Sequence, residues 1–147
     1  MPKLQIIGAP QSNFVWVTHI VAAEKRVDYE SVFAMPHTPA VYACNPLGKI
    51  PAMRHGEVIL GESRAICAYI DRAFAGPSLI PAEPAAAALT EQWASIVCSH
   101  VDPLPESQQM LAGARHLTAY LERHLQRPSI AATIPPPMSQ LPAQASG

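Results

Sequence analysis

Asn45-Pro46-Leu47-Gly48-Lys49-Ile50-Pro51-Ala52, then Met53-Arg54-His55-Gly56-Glu57-Val58-Ile59-Leu60, then Gly61-Glu62-Ser63-Arg64-Ala65: the reading of this chain turns on these three blocks. The first is loop chemistry, because Pro46 fixes a φ angle and Gly48 permits a sharp reversal. Two short apolar runs follow, Ile50 to Met53 and Val58 to Leu60, separated by His55-Gly56-Glu57, a turn signal of hairpin length. Gly61-Glu62-Ser63 then opens a helical pattern with Ala65, Ile66, Tyr69, Ile70 and Phe74 on one face. Pro51 heads the first of these strands, where it cannot donate a ladder hydrogen bond. A cis bond before it would turn the main chain of Ile50 outward, with its N–H and C=O free for a ligand. Only about 5–6% of X-Pro bonds in folded proteins are cis, and spacing alone does not select one here.

Glu62-Ser63 stands where a helix start presents unpaired N–H groups and a partial positive charge. A hydroxyl there can help bind a carboxylate, and a carboxylate beside it can bind an ammonium group. A plain acidic first turn is the competing reading, and the residues alone favour it.

Upstream, Lys3 to Ile7 reads as a strand, and Ala9-Pro10-Gln11-Ser12-Asn13 as a loop feeding a helix whose inward stripe is Phe14, Val17, Ile20 and Val21. Val27 to Phe33 is a second strand, and Ala40 to Cys44 one helical turn. Strand, helix, strand, short helix, hairpin, helix is the order of a thioredoxin-like α/β layer, with the first two strands parallel and the last two antiparallel. Gly76-Pro77 stops that unit. Downstream, residues 78–84 form a proline-bearing linker. A helix over Ala85 to Val101 has Leu89, Trp93, Ile96, Val97 and His100 at helical spacing. A second, from about Glu106 to Leu125, carries Met110, Leu111, Ala114, Leu117, Leu121 and Leu125. The fold class is therefore an α/β thioredoxin-like N-terminal domain (1–77) followed by a truncated all-α C-terminal domain (85–134). Residues 135–147 form a disordered Pro/Ala/Ser tail.

A net charge of −1 over 147 residues gives no basic field for nucleic acid or an anionic membrane. No apolar run approaches the ~20 residues needed to span a bilayer, and no N-terminal basic-plus-apolar signal is visible. Cys44, Cys67 and Cys98 are far apart without a Cys-x-x-Cys, so they read as apolar fillers in a reducing, cytoplasmic compartment. The histidines show no metal-ligand spacing.

The run Asn45 to Ala52, the hairpin, and Glu62-Ser63-Arg64-Ala65-Ile66 together resemble the glutathione-binding half of the soluble glutathione transferases, in order and at that family's spacing. The resemblance implies that Pro51 is cis, that the main chain of Ile50 pairs with the cysteinyl backbone of glutathione, and that Glu62 and Ser63 hold its γ-glutamyl end. It also places Ser12 where the serine-type, phi-like and theta-like members carry their working serine. A hydroxyl there, donating to sulfur, favours the thiolate and lowers a thiol pKa from about 8.5 toward neutral. The residues by themselves allow Ser12 to be a simple N-cap. Asn13 can also donate to sulfur, so the choice between the two stays open. His37 precedes the Thr38-Pro39 that matches the phi-like Ser/Thr-Pro, and Lys49 precedes Ile50-Pro51. Both are candidates for the glycine carboxylate of glutathione, and a solvated surface role competes for each. No cysteine lies near Ser12, which speaks against disulfide exchange, and Ile6 and Ile7 stand where a tyrosine-type member has its tyrosine.

The resemblance runs from Lys3 to about Pro103 and resumes near Pro105, without the family's middle helices. It implies an internal deletion around Asp102 to Pro105, apolar helix faces left without neighbours, and a homodimer weakened by the missing helices. The expected activity is a glutathione transferase, joining glutathione to a small electrophile in the manner of detoxification. Glutathione is its substrate; no cofactor and no metal are expected. The alternative is a catalytically impaired module of the same fold that binds glutathione or a protein.

Overall fold

The computed structural model describes residues 2–101 and 115–140. The chain divides into two compact units, Met1–Pro77 with Ala132–Gly147, and Ser78–Ala131.

In the first unit β1 (Leu4–Ile7), α1 (Asn13–Glu24), β2 (Tyr29–Val32), α2 (Pro39–Tyr42), β3 (Ala52–His55), β4 (Val58–Gly61) and α3 (Ser63–Ala73) follow in order. The sheet order is β2-β1-β3-β4, with β1 and β2 parallel and β3 antiparallel to both β1 and β4. The element order, the parallel first pair and the antiparallel hairpin are those expected from the sequence. Strand alternation sorts the core into two layers. Leu4, Ile6 and Met53 pack with Val15 and Ala22 of α1 and Ile66 and Ile70 of α3. Ile7 and Ala52, on the opposite pleat, pack with Ala34, Val41 and Cys44. So α1 and α3, which contact each other, cover one face and α2 covers the other.

The α1 stripe differs in part from the expected one, since Val21 packs against the core as expected. Val15, Thr18, His19 and Ala22 are buried, whereas Val17 is exposed. Apolar residues surround most of this helix, so periodicity does not set its phase. The residues that face the core include Thr18 and His19, which a hydropathy reading assigns outward. Thr18 satisfies its hydroxyl on Val15 O at 2.6 Å. The expected α3 face is shifted in part too, with Ala65 exposed and Ser63 and Asp71 buried.

His19 Nδ1 lies 3.0 Å from the Tyr29 hydroxyl, and its Nε2 is buried with no hydrogen-bond partner. Burial holds the imidazole below its ordinary 6.5 and raises the Tyr29 phenol. The unfolded chain thus binds the His19 proton more readily than the folded one. Neutral His19 contributes its stability fully above that ordinary value, and the contribution is lost as pH falls toward the folded-state value. His19→Gln is expected to weaken the acid-side loss of stability, seen as a smaller drop in urea midpoint between about pH 7.5 and about pH 5.5. Equal drops in both proteins would mean that His19 does not titrate on unfolding.

At the far end of α1, Lys25 Nζ lies 3.3 Å from Asp71 Oδ1 of α3, both side chains being almost fully buried. It donates also to Asp71 O at 2.8 Å and Pro77 O at 3.1 Å, so the buried ammonium faces one carboxylate and two carbonyls. Residues 132–140 belong to this unit as well. Trp16 Nε1 donates to Thr133 Oγ1 at 3.2 Å and Gln11 Nε2 to Pro136 O at 2.8 Å. Met138–Gln140 forms a 3-10 turn, and the rest of the expected tail, 141–147, lies outside the described residues.

In the second unit α4 (Pro84–Ile96) begins at Glu83, whose carboxylate accepts from Ala85 N and Ala86 N at 2.9 and 2.8 Å. Those two donors hold the carboxyl below the usual range. A π turn, Val97–Val101, continues it, and α5 (Arg115–Leu125) and α6 (Pro128–Ala131) follow. The α4 stripe is present at the expected spacing but not covered: Leu89, Trp93 and Val97 are exposed at 55%, 62% and 51%. The expected start of the next helix, including Glu106, Met110, Leu111 and Ala114, and the junction Asp102 to Pro105, lie outside the described residues.

Candidate functional site

One row of the sheet organises the site. Val32 pairs with Ile7, Ile7 with Ala52, and Ala52 with Gly61. Given the strand directions, β1 and β2 leave the sheet at this row, β3 enters from it, and β4 ends on it. The segments attached there are the loop to Ser12 and Asn13, the loop to His37, Lys49-Ile50-Pro51, and Glu62-Ser63. All eight expected site residues therefore sit on segments that come off one end of one sheet.

The Ile50–Pro51 peptide bond is cis. The β1–β3 ladder stops at Ile7–Ala52, so Pro51 and Ile50 lie beyond the sheet's hydrogen bonding. Gly8 lets the Ser12 loop run against this point, since a Cβ on Gly8 would fall 3.2 Å from Ile50 Cβ and 2.6 Å from Val15 Cγ2.

Ser12 is half-buried at the N-cap of α1, with extended backbone. Its carbonyl accepts from Trp16 N at 2.8 Å and its N–H donates to Ala9 O at 3.0 Å. Its hydroxyl makes no capping bond. The cap that competes as an explanation of this serine is thus a main-chain one, and the hydroxyl is left over. Asn13, the first helical residue, is exposed.

Glu62 is exposed at the N-cap of α3 with φ 65°, a conformation rare for a residue with a side chain. It makes no side-chain cap, while its carbonyl accepts from Ile66 N at 3.0 Å. Ser63, at the first helical position, is buried. An exposed carboxylate and a hydroxyl at a helix N-terminus together present groups for an ammonium and a carboxylate.

His37 also takes a left-handed backbone, φ 64°, and its N–H donates to Gly48 O at 2.7 Å. Its Nδ1 is 3.0 Å from the Tyr42 hydroxyl. Lys49 is exposed, and its carbonyl accepts from Asn45 Nδ2 at 2.9 Å. Asn45 and Tyr42 are the residues that sequence reasoning passed over. Asn45 is buried, accepts from Leu47 N at 3.1 Å through Oδ1, and lies so close to Gly61 that a Cβ there would meet Nδ2 at 2.8 Å. It thereby ties the loop that carries Ile50 to the strand end that carries Glu62. Asn ahead of Pro46 was its signal, as an Asx-turn former. Among the described residues no group of three His, Cys, Asp or Glu side chains is set to hold a metal.

A thioredoxin-like sheet end with a cis-proline loop, a serine-led helix and no cysteine at that helix start defines a thioredoxin-fold binding domain without the dithiol. Residues 6–78 match the family described as glutathione S-transferase, N-terminal domain, and the chain belongs to the soluble glutathione transferase family. It is 33% identical over 107 residues to "Glutathione S-transferase 1" of Dianthus caryophyllus, covering 69% of this chain and 48% of that protein. It is 38% identical over 110 residues to "Glutathione S-transferase 3" of Zea mays, covering 70% and 49%. The theta class glutathione S-transferase from Xanthomonas axonopodis pv. citri, solved with glutathione bound, superposes with TM-score 0.65 at 28% identity, covering 86% of this chain and 72% of that one. The chain spans about half the length of the curated relatives it matches.

Proposed function

We propose that this chain is a serine-type glutathione transferase that binds glutathione across the sheet end and activates its thiol for conjugation to a small electrophile. The observation that carries the reading is the common row Val32–Ile7–Ala52–Gly61, from which Ser12, Ile50 and Glu62 are all presented. The cysteinyl backbone of glutathione pairs with the main chain of Ile50 beside Pro51, and the γ-glutamyl end lies on Glu62 and Ser63. The glycine carboxylate reaches toward His37 and Lys49. The thiol then comes to Ser12, with Asn13 as the neighbouring donor. The Ser12 O–H donates to sulfur and stabilises the thiolate, whose released proton goes to solvent. The sulfur lone pair forms the new C–S bond as the electrophile's leaving group departs with its bonding pair. Glutathione is substrate, and no cofactor enters.

A cytoplasmic, reducing location suits a chain with three free cysteines. Among the described residues no helix is long and apolar enough to cross a membrane. A homodimer is supported by the apolar groove of Leu60, Ala65, Ala68 and Tyr69 beside the exposed Val58 and Ile59. The uncovered Leu89, Trp93 and Val97 favour a second reading, a binding module with poor turnover.

Calorimetric titration with glutathione followed by an aryl-halide conjugation assay separates these. Binding with conjugation is expected. Binding without it selects the second reading, and no binding removes both. Glu62→Gln is expected to weaken glutathione binding about tenfold or more, the scale of one hydrogen bond to a charged group. An unchanged Kd would take the γ-glutamyl end off Glu62.

A further inference from the structure

His37 and Tyr42 lie on either side of the first turn of α2, and their rings share the space above Gly48. A Cβ on Gly48 would fall 2.5 Å from His37 Nδ1 and 2.8 Å from Tyr42 Cε1 and Cζ, and the backbone there is left-handed, φ 67°. Three restraints therefore act on one exposed histidine: two on its main chain, the left-handed φ and the N–H bond to Gly48 O at 2.7 Å, and one on its ring, the Tyr42 hydroxyl on Nδ1 at 3.0 Å. A histidine serving only as a solvated surface group needs none of them. Backbone held in a sparsely populated region by its surroundings is found where a side chain must be aimed.

We propose that Tyr42 is a positioning residue that aims His37 Nε2 at the glycine carboxylate of glutathione, so that the pair sets the preference for the tripeptide over γ-glutamylcysteine. The inference rests on the glutathione-binding reading above. The chemistry follows from the two ring nitrogens. A carboxylate accepts only from a nitrogen that bears a proton. With the phenol donating to Nδ1, a neutral imidazole keeps its proton on Nε2. In the imidazolium, Nδ1–H donates to the phenol oxygen instead and Nε2 is still protonated. Tyrosine can serve in both states because its hydroxyl both donates and accepts. Phenylalanine preserves the ring tilted against His37, 5.9 Å between centroids, and removes only this switchable partner.

The test is the Kd of the full chain for glutathione and for γ-glutamylcysteine, in the parent protein, Tyr42→Phe, His37→Ala and the double variant. Tyr42→Phe is expected to weaken glutathione about three- to tenfold, the scale of one lost hydrogen bond, and to leave γ-glutamylcysteine unchanged. In the His37→Ala background it should add nothing, because Tyr42 acts through His37. The inference is overturned if Tyr42→Phe weakens both ligands alike, changes neither, or multiplies with His37→Ala. A parent protein that binds both ligands equally overturns it too while leaving the glutathione reading intact. A parent protein that binds neither refutes that reading itself.

Discussion

Asp71→Asn is expected to destabilise the chain by about 3–5 kcal/mol, the cost of leaving one member of a buried ion pair without its partner. Lys25 Nζ is 3.3 Å from the Asp71 carboxylate, with side-chain exposures of only 2% and 6%, so water cannot stand in for the lost charge. Its two carbonyl acceptors, Asp71 O and Pro77 O, remain after the substitution but carry no net charge to balance the ammonium. Lys25→Met should cost a comparable amount, because the Asp71 carboxylate then stays buried without the ammonium charge beside it. Lys25→Met combined with Asp71→Leu should recover much of the loss, because neither charge is then buried. Urea unfolding of the four proteins measures this, and additive losses in the double variant would show that the two side chains act independently. The effect reaches the site because the pair joins the C-terminal ends of α1 and α3, whose N-terminal ends present Ser12 and Glu62.

Ser12→Ala is expected to lower kcat/KM for conjugation about 10- to 100-fold. This is the kinetic equivalent of about 1.5–3 kcal/mol for a hydrogen bond to a charged acceptor, here the thiolate. The hydroxyl caps nothing, so its removal should leave the urea midpoint nearly unchanged and confine the loss to activity. Ser12→Thr keeps the donor and should retain more activity than alanine does. The loss should also shrink as pH rises above the free thiol's value of about 8.5, where thiolate forms without help. A rate equal to the parent's would pass the role to Asn13 or to the helix start itself.

Much of the first unit could be read from local signals. His55-Gly56-Glu57 marked the hairpin that β3 and β4 form, and Glu62-Ser63 marked the start of α3. What spacing alone could not select was the cis bond at Pro51, since any X-Pro pair looks the same in sequence; it entered through the family resemblance. The phase of α1 was partly hidden because Val17, which is exposed, is as apolar as the inward Val15 and Val21, while the buried Thr18 and His19 look like surface. Nothing in the sequence marks Lys25 and Asp71 as a pair, because sequence does not reveal that two helix ends meet. Asn45 was inside the decisive stretch, yet its role depends on Gly61 lying against it, which only the β3–β4 register brings about.

The most direct test titrates the thiol of glutathione by thiolate absorbance with the site saturated by the full chain. The bound thiol is expected to titrate well below the free value of about 8.5, with the shift reduced in Ser12→Ala. A bound thiol that titrates like free glutathione, at the same value in both proteins, would contradict it.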